Sequence, residues 1–416
     1  MTDSAIIPSK NPHPIVFMFL QIPYGAMTGY LVVTLGYLLS NAGISPAIIA
    51  GLIALQLMPQ VIKFLWSPLV DVTLSVKAWH VIATAACAAC VLAFSFIPIR
   101  SSSLPIFSVV IVVSSFACSF VGIATNSLSA HSTTGNLKGR VSGFLQAGNL
   151  GGQGVGGGLG LYLATHYSNL LAGILLAAGF MACSLFLIFV DEPVDVIKVK
   201  GIARSMGNLL KDVWFTVKKR AGIIALILCL MPIGTCAAGN LFSAIAKEWH
   251  TSAKTVEWIT GLAGGGITAV GCLAGGLICD LMDRRIAYVL FGILQAICAI
   301  GMAFFPHTEL MYIIWTSLYT FVSGLCYSAF NAFVLEVIGK GAAGTKFELY
   351  ASVSNAPIYM MTAIAGLAYA KWGANGMFNT EAVCCVIGIV LYLIVKVIIE
   401  GNTTKTAKGL ELGTEL

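Results

Sequence analysis

What this chain has least of is charge. Only 10% of its 416 residues are Asp, Glu, Lys or Arg, against 58% hydrophobic, and the mean hydropathy is +0.91. A soluble fold could not cover itself with so little polar surface, so the chain is expected to be an integral membrane protein. Alternation of apolar and polar residues over about ten positions is also missing, which excludes a transmembrane β-barrel. No glycine-rich stretch ends in the Gly-Lys-Ser/Thr of a phosphate loop, so a nucleotide-driven pump is not expected. Nor does any span hold a His, Asp or Ser constellation with the spacing of an active site. An enzyme, a metal site and a cofactor are therefore not expected, and the net charge of +6 needs no nucleic-acid partner once its placement is seen.

What is present is about a dozen apolar runs, each near the 20 residues a spanning helix needs. The expected spans are 14-38, 46-66, 79-99, 104-127, 140-165, 168-190, 221-246, 255-279, 286-305, 310-335, 346-370 and 376-399. The first follows a tail whose only Lys is Lys10 and is long enough to span, so an uncleaved N-terminus is expected. Of the 23 Lys and Arg, all but Arg100, Lys247, Lys254 and Lys371 fall on one set of loops with both tails. The positive-inside rule makes that set cytoplasmic, with both termini inside an inner-membrane-type bilayer. Most of the twelve cysteines lie in apolar spans, where Cys packs as a small hydrophobe. "CAAC" at 87–90 has redox spacing but no His or carboxylate nearby, so packing is expected of it too.

The longest interior polar segment, 191-220, divides the spans six and six. It is basic and partly amphipathic, as suits a cytoplasmic linker beside anionic headgroups. The expected domains are 1-190 and 221-399, each a six-helix bundle, with the linker between them and a cytoplasmic tail at 400-416. The halves also repeat. "SPLVD" at 67–71 answers to "GLICD" at 276–280, Asn126 to Asn331, and Asn149 to Asn355, all at nearly one offset. Such a parallel repeat places a pathway on the pseudo-twofold axis between two bundles.

"GGLICDLMDRR", Gly275 to Arg285, is the strongest motif. Glycine permits close helix approach, and a carboxylate four residues on can face a helix N-terminus or an arginine. With Gly276, Asp280, Arg284 and Arg285 it resembles the loop signature of the major facilitator superfamily, and Asp71 with Lys77 is its counterpart in the first half. The resemblance implies an all-α transporter of twelve helices in two pseudo-twofold bundles, with these residues as a cytoplasmic gate. "KFLWSPLVD" at 63–71 and "AGTKFELYASVSNAP" at 343–357 narrow it to the AmpG-type permeases, a group with acetyl-CoA transporters and siderophore importers among its members. Lys63 is expected to partner Asp71 or to anchor at headgroups. AmpG-type permeases commonly carry an aspartate near the end of span four; this chain has Asn126.

In such a fold spans one, four, seven and ten line the cavity, helped by two, five, eight and eleven. Their midspan polar residues are Gln21, Tyr24, Thr28, Gln56, Gln60, Asn126, Gln146, Asn149, Asn240, Tyr327, Asn331, Tyr350, Asn355 and Tyr359. Unpaired polar groups are costly in hydrocarbon, so as a set they mark a polar, nearly uncharged substrate pathway. No midspan carboxylate occurs in spans one, four, five or seven, which leaves Glu336, Glu348, Glu381 and His131 as candidates for proton coupling. Gly148, Gly152, Gly156 and Gly160 share one face of span five, expected to pack tightly on a neighbouring helix, one across the halves among the candidates, and to slide.

The resemblance implies import of a bulky organic solute by a secondary transporter, expected to act as a monomer. Muropeptides and siderophores compete as cargo. An acetyl-CoA-like anion ranks third, since it would want cationic pathway residues. A channel or receptor would instead predict one hydrated pore without paired gate motifs.

Overall fold

The computed structural model describes residues 12–193, 202–246, 248–256, 258–259 and 263–413; among these there is no β-strand. The first half of the chain supplies α1 (Ile15–Asn41), α2 (Pro46–Ile62), α3 (Val76–Phe96), α4 (Leu104–Ser132), α5 (Lys138–Gly154) and α6 (Asn169–Ser184). The linker forms α7 (Ile202–Lys218). The second half supplies α8 (Arg220–Leu230), α9 (Ala263–Leu281), α10 (Arg284–Phe304), α11 (Glu309–Ile338) and α12 (Ala343–Gly413), the last interrupted at Gly373 by φ 68° and ψ −166°. Eight stretches among the described residues are long and apolar enough to cross a bilayer. Of the other expected spans, 46-66 and 221-246 give shorter apolar helices, while 140-165 is helical but rich in glycine.

Span 221-246 is not the continuous helix expected. α8 stops at Leu230, and Met231 to Cys236 is irregular before a 3₁₀ turn at Ala237–Leu241. Pro232 has no N–H to continue the ladder, and Gly234 and Cys236 take left-handed φ values of 59° and 55°. The freed groups are satisfied by side chains: Tyr288 donates to the Ile233 carbonyl at 2.6 Å. The Glu381 carboxylate accepts from the Ala237 and Ala238 amides at 3.1 and 3.2 Å.

The glycine face of α5 packs against α1, within the first half of the chain. A Cβ at Gly148, Gly152 or Gly156 would run into backbone of Met18, Ile22 or Ala26. α1 answers with Gly25 and Gly29, which lie against the Asn149 and Gln153 carbonyls. α1 carries a π turn here, Tyr30–Leu35, and α5 runs on into another, Val155–Leu159; Thr34 donates to the carbonyls of Gly156 and Gly157 at 3.0 Å. The contact between halves is made by other glycines. Gly139 and Gly143 of α5 meet Gly276 and Cys272 of α9, and Gly154 meets Gly265 farther along.

A polar cavity closed at one face

α1, α2, α4 and α5 from the first half, and α8, α10, α11 and α12 from the second, enclose a cavity of about 550 Å³. Twelve of the fourteen pathway residues read from the sequence border it: Gln21, Tyr24, Thr28, Gln56, Gln60, Asn126, Gln146, Asn149, Tyr327, Asn331, Asn355 and Tyr359. Tyr350 does not; it is fully buried and donates to the Gly222 carbonyl at 3.2 Å. The side chain of Asn240 lies outside the described residues. The unwound stretch after α8 adds Met231, Ile233, Gly234 and Thr235 to the wall.

Local bonds aim this lining. Tyr24 donates to Gln60 Oε1 at 3.1 Å, while the Gln60 amide donates to the Ser115 carbonyl at 3.0 Å. On α5, Gln153 donates to Asn149 and Asn149 to Gln146, a ladder at helical spacing. Gln21 and Gln56 are buried, and their carbonyl oxygens have no partner among the described residues. Such acceptors suit water or a solute donor.

At the lysine-rich face the two halves are tied by a reciprocal exchange of carboxylates. Asp71, on the short helix Ser67–Val72, accepts from the Thr345 amide at 2.8 Å and the Thr345 hydroxyl at 2.7 Å, in the first turn of α12. Asp280, at the end of α9, accepts from the Gly139 and Arg140 amides at 2.8 and 3.1 Å, in the first turn of α5. Each aspartate thus caps a helix of the other half, where free N–H groups and the helix dipole favour an anion. The approach needs glycine: a Cβ at Gly344 would lie 3.0 Å from Asp71 Oδ1, and one at Gly139 would lie 2.6 Å from Asp280 Oδ1.

Arginine and lysine close the same face. Arg284 lies 3.9 Å from Asp280, pairs with Glu336 at 2.7 Å and donates to the Gly135 carbonyl across the halves. Lys138 donates to Leu335 O at 2.8 Å, near the C-terminus of α11. Burial, with Arg284 nearby, holds its amine below the usual lysine value. Among the described residues Lys77 and Arg285 bond through their backbone amides, to Glu192 and Asp283. The linker takes part as well: Asp212 of α7 pairs with Lys346 at 2.9 Å and accepts from the Ala342 amide at 3.0 Å.

Lys63 is not the partner of Asp71. It is buried at the cavity's lysine-rich end and pairs with Glu348 of α12 at 2.7 Å, while Asn126 of α4 donates to the other Glu348 oxygen at 3.0 Å. The remaining coupling candidates scatter. Glu336 is tied to Arg284, His131 donates to the Ser127 carbonyl at 2.8 Å, and Glu381 caps the unwound stretch with Tyr319 donating to it at 2.7 Å. Sequence reading missed the unwound stretch and the Lys63–Glu348 pair. Pro-x-Gly in "MPIGT" signalled the former; nothing local signalled the latter.

Three comparisons bear on this architecture. The sequence profile of the Major Facilitator Superfamily matches residues 17–360. The anhydromuropeptide permeases of Escherichia coli K12 and O157:H7 are each 25% identical over 252 residues, covering 59% of this chain. The chain spans about half the length of these curated relatives, 51%. Among solved structures, the human organic anion transporter MFSD10 (TETRAN) superposes with a TM-score of 0.71 at 14% identity, covering 92% of this chain and 99% of that one. The Escherichia coli fucose:proton symporter FucP superposes with 0.66 at 13% identity, covering 92% and 98%. A helical, multi-pass chain whose halves enclose a polar cavity, matched over residues 17–360 by that profile, belongs to the major facilitator superfamily of transporters.

Proposed function

We propose that this transporter imports a bulky polar solute across an inner membrane by alternating access, driven by protons. The two halves, 1-190 and 221-399, rock as six-helix bundles about the central cavity. Both termini, the linker 191-220 and the tail 400-416 lie on the cytoplasmic side, and the protein works as a monomer. The observation that carries this reading is the reciprocal capping by Asp71 and Asp280. Bonds between halves concentrated at one face beside a polar cavity make a releasable latch. A channel would not need it.

A peptidoglycan fragment is the first reading of the cargo, supported by the similarity to anhydromuropeptide permeases. A siderophore is the second, favoured by a lining in which, among the described residues, Lys63 is the one charged side chain. That single cation, already paired, argues against a highly anionic acetyl-CoA-like cargo.

Uptake into proteoliposomes of an anhydromuropeptide and of ferric siderophores, side by side, tests the cargo. Muropeptide accumulation that collapses with an uncoupler is the expected result; uptake indifferent to the uncoupler would reject proton drive. Asp71→Asn and Asp280→Asn should each lose a charge-assisted cap of about 1.5–3 kcal/mol and shift the protein toward opening at the lysine-rich face. Unchanged uptake and unchanged conformational populations in both variants would sink the latch.

A further inference from the structure

Among the described residues lining the cavity one is charged, and its arrangement is unusual. Lys63 is only 8% exposed and stands at the end of α2. Its ammonium lies 2.7 Å from Glu348 Oε2 and 5.7 Å from the centre of the Tyr24 ring. Glu348 is fully buried, and both its oxygens are taken by the first half of the chain, one by Lys63 and one by Asn126. It belongs to the second half, on α12, one helical turn from Thr345, whose amide and hydroxyl hold Asp71.

Two properties follow from the chemistry. An ammonium has three donors and no acceptor. Among the described residues Glu348 is the one ion-pair partner of Lys63, so the ammonium keeps donors to spare on a side chain that borders the cavity. A buried carboxylate, in turn, is stable as an anion only while a cation or strong donors hold it; stripped of its cation it is strongly destabilised unless it takes up a proton.

From this we infer that Lys63 is the cargo's anion-binding residue and Glu348 its internal stand-in: a carboxylate on the solute replaces Glu348 at Lys63, and Glu348 is released as the protonated acid. The inference deepens the transport reading and rests on it. The balance is simple: one carboxylate–ammonium contact breaks, another forms, and one proton from solution goes onto a Glu348 oxygen. Net charge in the cavity is then the same before and after the solute anion enters with its proton. Because Lys63 and Glu348 sit on opposite halves beside the Asp71–Thr345 bond, the exchange removes a tie between halves next to the latch. Asn126 fits this arrangement: its amide donates to Glu348 with no charge of its own to compete for Lys63. The other titratable and charged groups in and around this region are Tyr24, Asp71 and His131, with Lys346 and its partner Asp212 beside Glu348 on α12 and α7.

Two experiments on the full chain in nanodiscs test the exchange, and they fail differently. In the first, binding of a 1,6-anhydro-muramyl tripeptide is compared with that of its fully amidated form. Wild type is expected to favour the acid by about tenfold or more. Lys63→Met should abolish that preference while keeping amide binding, and Lys63→Arg should retain it. A preference that persists in Lys63→Met overturns the inference. If wild type binds neither form, the muropeptide reading falls, and the second experiment decides the pair alone.

The second experiment uses no cargo. Hydrogen exchange of residues 343–349 is followed from pH 5 to pH 8. In Lys63→Met the closed face requires Glu348 to be protonated, so protection should fall as pH rises. Wild type should be flat by comparison, and Lys63→Met combined with Glu348→Gln should be flat again, which separates Glu348 from Asp71 and His131. Identical profiles for wild type and Lys63→Met would overturn the inference.

Discussion

A single methyl group on α9 should hold the lysine-rich face open. Gly276 lies where α9 crosses α5, and a Cβ there would fall 2.6 Å from the Gly139 carbonyl oxygen and 2.8 Å from the Gly143 Cα. Both are backbone atoms of the other half, so no side chain can turn aside; the halves must separate. Overpacking of this kind costs about 1–3 kcal/mol. Taking about 2 kcal/mol, at 1.4 kcal/mol per factor of ten, the closed-to-open ratio at this face should fall about 30-fold. The Gly139 and Arg140 amides, held by Asp280, report on closure directly. Their hydrogen exchange in Gly276→Ala should accelerate by about that factor. Gly266→Ala supplies the control, because it adds the same methyl to the same helix where nothing lies within 4 Å. Both variants gain the same helix propensity of about 1 kcal/mol over glycine. They differ only in the contact between halves. Equal exchange in the two variants would show that the Gly139–Gly276 approach does not limit closure, and the argument from backbone proximity would fall.

Two other perturbations address the carboxylates that cap the unwound stretch and hold the linker. Glu381→Gln removes the charge that caps Ala237 and Ala238 and accepts from Tyr319, and should lower stability by about 1–3 kcal/mol. Thermal unfolding followed with a thiol-reactive dye suits this chain, since most of its twelve cysteines are buried and all are free. An unchanged midpoint would deny Glu381 its capping role. Asp212→Asn should loosen the linker's hold on α12 by removing the negative charge that pairs with Lys346 and strengthens the bond to the Ala342 amide, with faster exchange across 339–346. Protection equal to wild type would make the α7 contact incidental to the latch.

The cavity lining was legible in the sequence because hydrocarbon is unforgiving. A glutamine or asparagine in the middle of an apolar span must face a partner or a cavity, so spans and cavity-facing residues could be read together. What stayed hidden was partnership. Gly148, Gly152, Gly156 and Gly160 declare a face of α5 by their spacing, yet spacing cannot say which helix meets it; the structure gives that face to α1 and leaves the contact between halves to Gly139 and Gly143. Lys63 likewise has its own carboxylate neighbour in sequence, Asp71, and a spatial one in Glu348, far along the chain.

The repeat did contain the answer for the reciprocal caps. Gly139 and Gly344 stand as far apart as Asn126 and Asn331, each in the first turn of a helix that a carboxylate from the other half must approach. An aspartate that caps its own half leaves that half's shape unchanged when it lets go. One that caps the opposite half ties closure to every bond it makes. The paired signature therefore has its physical sense in reciprocity: Asp71 needs the glycine at the start of α12, Asp280 needs the one at the start of α5, and neither helix start is complete until the halves meet.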